Sequence, residues 1–127
     1  MEDGGRAGRR ILVVEDNHDL RDELMTGFVA RGFQVTAAGD GALGARAATD
    51  DRHDVVLLDL EMPSLDGLRL AQVLSAVAPA TRLVIMSGHG YLRTAARDLL
   101  GGSVPVLAKP FDLDDLLHLI AAPPLRT

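Results

Sequence analysis

Five residues of this chain have the types and spacing to do chemistry together: Glu15 and Asp16 side by side, then Asp59, Ser87 and Lys109. Each follows directly on a short apolar run, so a fold that gathers the ends of those runs gathers the five side chains. Three carboxylates brought close repel one another, and their pKa values rise unless a cation neutralises them. An all-oxygen ligand set suits a hard ion, and Mg²⁺ binds through one or two carboxylates while keeping positions for water and phosphate. Zinc is disfavoured, because His18, His53, His89 and His118 are dispersed without ligand spacing and there is no cysteine. Each histidine reads as a surface or loop residue. A carboxylate, a hydroxyl, a lysine and Mg²⁺ together suit phosphoryl transfer, where catalysis is mostly in-line positioning and charge neutralisation. Asp59 is then the nucleophile, since carboxylates form acyl phosphates. Lys109 supplies a point charge and Ser87 a hydrogen bond to the phosphoryl oxygens.

The elements that must position these residues alternate along the chain. Strands are predicted over Arg10–Val14, Gln34–Ala38, Val55–Leu58, Leu83–Met86 and Val104–Ala108. Several are apolar at nearly every position, as strands buried on both faces are. Between them, Leu20, Leu24 and Phe28 form one helical stripe, and Leu92, Ala95, Ala96 and Leu99 another. Leu70, Leu74 and Val77 give a third, and Leu113, Leu116, Leu117 and Ile120 a fourth. A weaker, alanine-rich helix is predicted over Ala42 to Thr49. Asp112 stands at an N-cap position, and Pro123-Pro124 ends the last helix. Five strands alternating with five helices imply an α/β fold with a doubly wound parallel sheet and right-handed crossovers. Ligands of such sheets sit at the carboxyl ends of the strands, where the five polar residues lie.

At 127 residues the chain has room for one domain. It divides into a lead-in over 1–9, a domain over 10–122 and a tail over 123–127. Apolar residues at 47% and charged residues at 24% describe an ordinary globular protein. A net charge of −5 with scattered Lys and Arg argues against direct nucleic-acid contact. The apolar runs are far shorter than the roughly 20 residues of a membrane span, so no membrane insertion is expected and the chain reads as cytoplasmic.

Four segments carry a resemblance: Ile11-Leu12-Val13-Val14-Glu15-Asp16-Asn17, Val55 through Gly67, Met86-Ser87-Gly88-His89-Gly90, and Ala108-Lys109-Pro110-Phe111. In order and spacing they resemble the receiver domain of two-component response regulators, from about Arg10 to Ile120. The resemblance implies a flavodoxin-like fold with strand order 2-1-3-4-5. It implies a histidine kinase or histidine phosphotransfer protein as phosphoryl donor, and a signalling domain that catalyses only its own phosphorylation and dephosphorylation. It further implies that Asp59 accepts the phosphoryl group and that Asp16 ligates Mg²⁺ directly. Glu15 acts through a metal-bound water, the backbone carbonyl of Glu61 completes the protein ligands, and Ser87 and Lys109 hold the phosphate. A cis Lys109–Pro110 bond belongs to the same resemblance. One residue departs from the pattern: three positions before the lysine the family usually has Tyr or Phe, and this chain has Val106.

Two other readings compete. Gly39, Gly41 and Gly44 form a literal G-x-G-x-x-G, with Asp59 about twenty residues beyond, as in a nucleotide-binding oxidoreductase. However, the match follows the second strand and leaves the acidic site idle, and Asp40-Gly41 also reads as a turn and helix start. Alternatively, a phosphate-independent adaptor of the same fold would use one face to bind partners, and Val106 is its best support. No output module fits in the seven residues after Ile120, which leaves a stand-alone receiver and a piece of a longer regulator or hybrid kinase both open.

Overall fold

A computed structural model describes residues 9–62 and 67–121. Strands β1 (Arg10–Val14), β2 (Gln34–Ala38), β3 (Val55–Asp59), β4 (Arg82–Ser87) and β5 (Val106–Ala108) alternate with helices α1 (His18–Ala30), α2 (Gly41–Asp50), α3 (Gly67–Val77), α4 (Gly90–Leu100) and α5 (Leu113–Ala121). All strand pairs are parallel and the sheet order is β2-β1-β3-β4-β5, as expected for a flavodoxin-like fold. The order reverses at β1, so crossovers on either side of it place helices on opposite faces of the sheet.

Side-chain alternation along the central strands feeds two separate cores. Leu12, Val14, Val56, Leu58, Leu83 and Ile85 face one way, onto Leu70, Ala71 and Leu74 of α3 and Ala96 of α4. Ile11, Val13, Val55, Leu57, Val84 and Met86 face the other, onto Leu24 and Phe28 of α1 and Leu116 and Ile120 of α5. Because both faces are covered, β3 is buried along its whole length, whereas the edge strands β2 and β5 are only partly so. An edge-to-face pair, Phe28 with Phe33 at 5.4 Å, closes the α1–β2 turn.

Local chemistry sets the helix starts. Asn17 caps α1 by accepting from the Leu20 N–H at 2.9 Å, and Asp40 caps α2 by accepting from the Leu43 N–H at 2.8 Å. Before α5, the Asp112 carbonyl accepts from the Leu116 N–H, while the Asp112 N–H is held by the Asp115 carboxylate.

Several expectations need correction. The face of α4 runs through Leu92, Ala96 and Leu100, not through Leu99, which is 46% exposed. On α3, Ala71 packs inward where Val77 was expected, and Val77 points outward. The fifth strand begins at Val106, two residues later than expected, while β3, β4 and α2 each extend a residue beyond their predicted ends. His53 lies in the loop before β3, as expected of a loop residue, but it is buried there, 3% exposed, and burial holds its pKa below the ordinary histidine value. Pro123-Pro124, most of the lead-in and the tail lie outside the described residues. Among the described residues no helix is long and apolar enough to cross a membrane.

Candidate functional site

The parallel ladder continues just past the strand ends and thereby gathers the polar residues. The Glu15 N–H donates to the Ala38 carbonyl at 3.1 Å, the Leu60 N–H to Met86 at 3.0 Å, and the Lys109 N–H to Ser87 at 3.0 Å. In register, Asp59 stands beside Met86 and Ser87 beside Ala108. Glu15, Asp59, Ser87 and Lys109 are thus mounted on a backbone fixed by the sheet, and Asp16 follows directly on Glu15.

Glu15, Asp16 and Asp59 each offer a carboxylate oxygen, and these oxygens all lie within 4.8 Å of one another. Glu15 and Asp59 are buried, and Asp16 faces solvent. Lys109 bridges the buried pair, its Nζ 2.9 Å from Glu15 Oε1 and 3.2 Å from Asp59 Oδ2. Burial pushes the Glu15 carboxyl up to about 7, the Lys109 hydrogen bond opposes the rise, and Asp59 adds to it. Burial alone would lower the Lys109 pKa, yet its bond to Glu15 and the Asp59 charge outweigh that and raise it. A carboxylate that resists ionisation beside two others is a site short of positive charge, and this donor set fits a hard divalent cation.

On the other side of Asp59, its Oδ1 accepts from the Glu61 N–H at 3.0 Å. Ser87 is fully buried, and its hydroxyl donates to the Glu61 carboxylate, as does the Gly88 N–H. Burial would raise the Glu61 pKa, but these two donors hold it below the ordinary carboxylate value. The Lys109–Pro110 peptide is cis. Val106, like Leu92 and Leu100 of α4, packs partly buried against the core that includes Ala96.

Three participants were not read from the sequence. Arg21 donates to the carbonyls of Glu15 at 3.0 Å and Asp16 at 3.4 Å, bracing the turn that carries both carboxylates. Arg93 braces the opposite loop through the Ser87 carbonyl at 3.1 Å. The third is the Glu61 side chain, since the resemblance implies a role for its backbone carbonyl alone. None of these has a spacing signature, because each depends on a helix or loop folding back over a strand end.

The glycine fingerprint resolves into packing. A Cβ on Gly44 would lie 2.7 Å from Val14 Cγ1, and one on Gly39 would lie 3.0 Å from the Arg21 guanidinium. Gly41 opens α2 behind the Asp40 cap. These glycines let α2 and Arg21 approach the sheet, and the oxidoreductase reading is set aside.

A family profile described as the response regulator receiver domain matches residues 11–121. Over 107 residues the chain is 41% identical to the transcriptional activator protein PfeR of Pseudomonas aeruginosa, covering 84% of this chain and 35% of that protein. It is 31% identical to sporulation initiation phosphotransferase F of Bacillus subtilis, covering 84% of this chain and 86% of that one. Among solved structures, the receiver domain of the sensor histidine kinase PA1611 from Pseudomonas aeruginosa, with a magnesium ion coordinated in its active-site cleft, aligns with a TM-score of 0.76 at 28% identity. That alignment covers 90% of this chain and 95% of the other. The chain spans 23% to 52% of the length of the first regulators it matches. Sheet order, acidic pocket and sequence match over residues 11–121 agree, and the chain belongs to the receiver-domain family of two-component response regulators.

Proposed function

We propose that Asp59 is the phosphoacceptor of this domain, taking a phosphoryl group from a phosphohistidine on a histidine kinase or histidine phosphotransfer protein. One observation carries the assignment: Asp59 is the carboxylate that closes the central strand, 3.2 Å from Lys109 Nζ and clustered with the carboxylates of Glu15 and Asp16. In the transfer the histidine P–N bond breaks and a P–O bond to the Asp59 carboxylate forms, with the electron pair returning to the imidazole. Asp16, Asp59, Glu15 through a water, and the Glu61 carbonyl would hold Mg²⁺, which would supply charge neutralisation to the phosphoryl oxygens. Lys109 adds a second positive charge, and Ser87 offers a hydroxyl to the same oxygens. The domain acts over residues 10–122, and its own catalysis is confined to gaining and losing this one group.

A second reading, a phosphate-independent adaptor, draws on Val106, because a short β-branched side chain is stiff at χ1 and cannot swing as an aromatic would. Intact acid, hydroxyl and lysine groups count against it. The chemical test is hydroxylamine treatment after incubation with labelled acetyl phosphate and Mg²⁺. An acyl phosphate on Asp59 releases its label, whereas label that survives would indicate a serine or threonine ester and contradict the assignment.

A further inference from the structure

The carboxylate of Glu61 has no part in the chemistry proposed for Asp59, yet it lies across the site. Its backbone is fixed by Asp59 through the 3.0 Å bond to Oδ1, and its side chain reaches from the β3 loop to the β4 loop. There Oε2 accepts from both the Ser87 hydroxyl and the Gly88 N–H, while Oε1 lies 3.8 Å from His89 Nε2. The Ser87 hydroxyl in turn accepts the His89 N–H at 3.0 Å, at the residue that precedes α4.

We infer that Glu61 is a resident anion: in the unphosphorylated protein it occupies the Ser87 and Gly88 donors that a phosphoryl group on Asp59 must take over. The inference rests on the phosphoacceptor reading of Asp59. A serine hydroxyl has one proton to donate and a backbone amide one, so neither can serve both anions in full. Two anions sharing one small donor set also repel each other. Phosphorylation therefore displaces the Glu61 carboxylate toward solvent, from a position where its side chain is already 24% exposed. The exchange hands Ser87 from one acceptor to another, and because Ser87 also holds the His89 N–H, it is felt at the start of α4. Glu61 thereby sets how readily the site accepts an anion and keeps the β4–α4 loop in one arrangement until it is displaced.

Chain length and charge separate in substitution. Glu61→Gln keeps an oxygen able to accept from Ser87 and Gly88 but removes the charge, and Glu61→Ala removes both. The test is titration of wild type and both variants with beryllofluoride, followed by the amide resonances of Gly88 and His89, at Mg²⁺ concentrations shown by separate titration to saturate each protein. Affinity should rise from wild type to Glu61→Gln to Glu61→Ala, by about tenfold or more overall, the scale of one charge-assisted hydrogen bond released. The Gly88 amide proton of ligand-free Glu61→Ala should also move upfield. Equal tightening in both variants would reduce the effect to charge and overturn the inference, as would no tightening in Glu61→Ala. Failure of all three proteins to bind beryllofluoride would instead remove the phosphoacceptor reading on which the inference stands.

Discussion

At the scale of single residues, the site is governed by Glu15, a buried acid paired with Lys109. Its folded pKa of about 7 lies above the ordinary carboxylate value of 4.5, so the native state binds this proton more tightly than the unfolded chain does. By linkage, the contribution of Glu15 to stability is greatest below pH 4.5 and is lost as pH rises through about 7. Metal-free protein should therefore lose stability between those limits relative to Glu15→Gln. Taking the difference between the two proteins cancels His53, whose lowered pKa acts in the opposite sense. Urea unfolding across the range in the presence of a chelator measures this, and parallel curves for the two proteins would contradict it. Excess Mg²⁺ should flatten the difference, because a cation favours ionised Glu15.

At the scale of elements, the strands act as rulers and the helices as clamps. Helix α2 can clamp only because Gly44 has no side chain: a Cβ there would stand 2.7 and 2.8 Å from the two Val14 methyls, next to Glu15. Gly44→Ala should cost about 1–3 kcal/mol through overpacking, and the double variant with Val14→Ala should lose less than the sum of the singles. Additive losses in denaturant unfolding would show that the contact is not what constrains Gly44. For the switch, Val106 packs against the core cluster that contains Ala96 of α4, and its β-branched side chain is stiff at χ1, so the response should run through Ser87. Ser87→Ala should still take up phosphate yet fail to shift the amides from Gly88 to Arg93 when beryllofluoride is added, and wild-type shifts there would refute it. The strands were legible because consecutive apolar residues such as Val55 to Leu58 have no explanation but two covered faces. Helix faces were less legible: Leu99 against Leu100, and Val77 against Ala71, differ by a rotation that only the neighbouring helix decides. Glu61, Arg21 and Arg93 were illegible as site residues because their partners lie in other loops.

At the scale of the whole molecule, one sheet carries two cores and delivers all its polar strand ends to a single edge. A ligand bound at that edge reports on the whole fold, since anything binding only the native state stabilises it, by about 2.7 kcal/mol at a hundredfold excess over Kd. Mg²⁺ should thus raise the melting temperature, and Asp16→Ala should remove most of the rise. Asp59→Asn should raise the metal-free melting temperature by removing one of three like charges. A wild-type melting temperature unmoved by millimolar Mg²⁺ would oppose the metal assignment. The role of Asp59 itself is tested most directly by intact-mass analysis of wild type and Asp59→Asn after incubation with Mg²⁺ and acetyl phosphate. Wild type should gain the mass of one phosphoryl group, and Asp59→Asn or wild type without Mg²⁺ should gain none. Undiminished phosphorylation of Asp59→Asn would contradict the assignment of Asp59 as the phosphoacceptor.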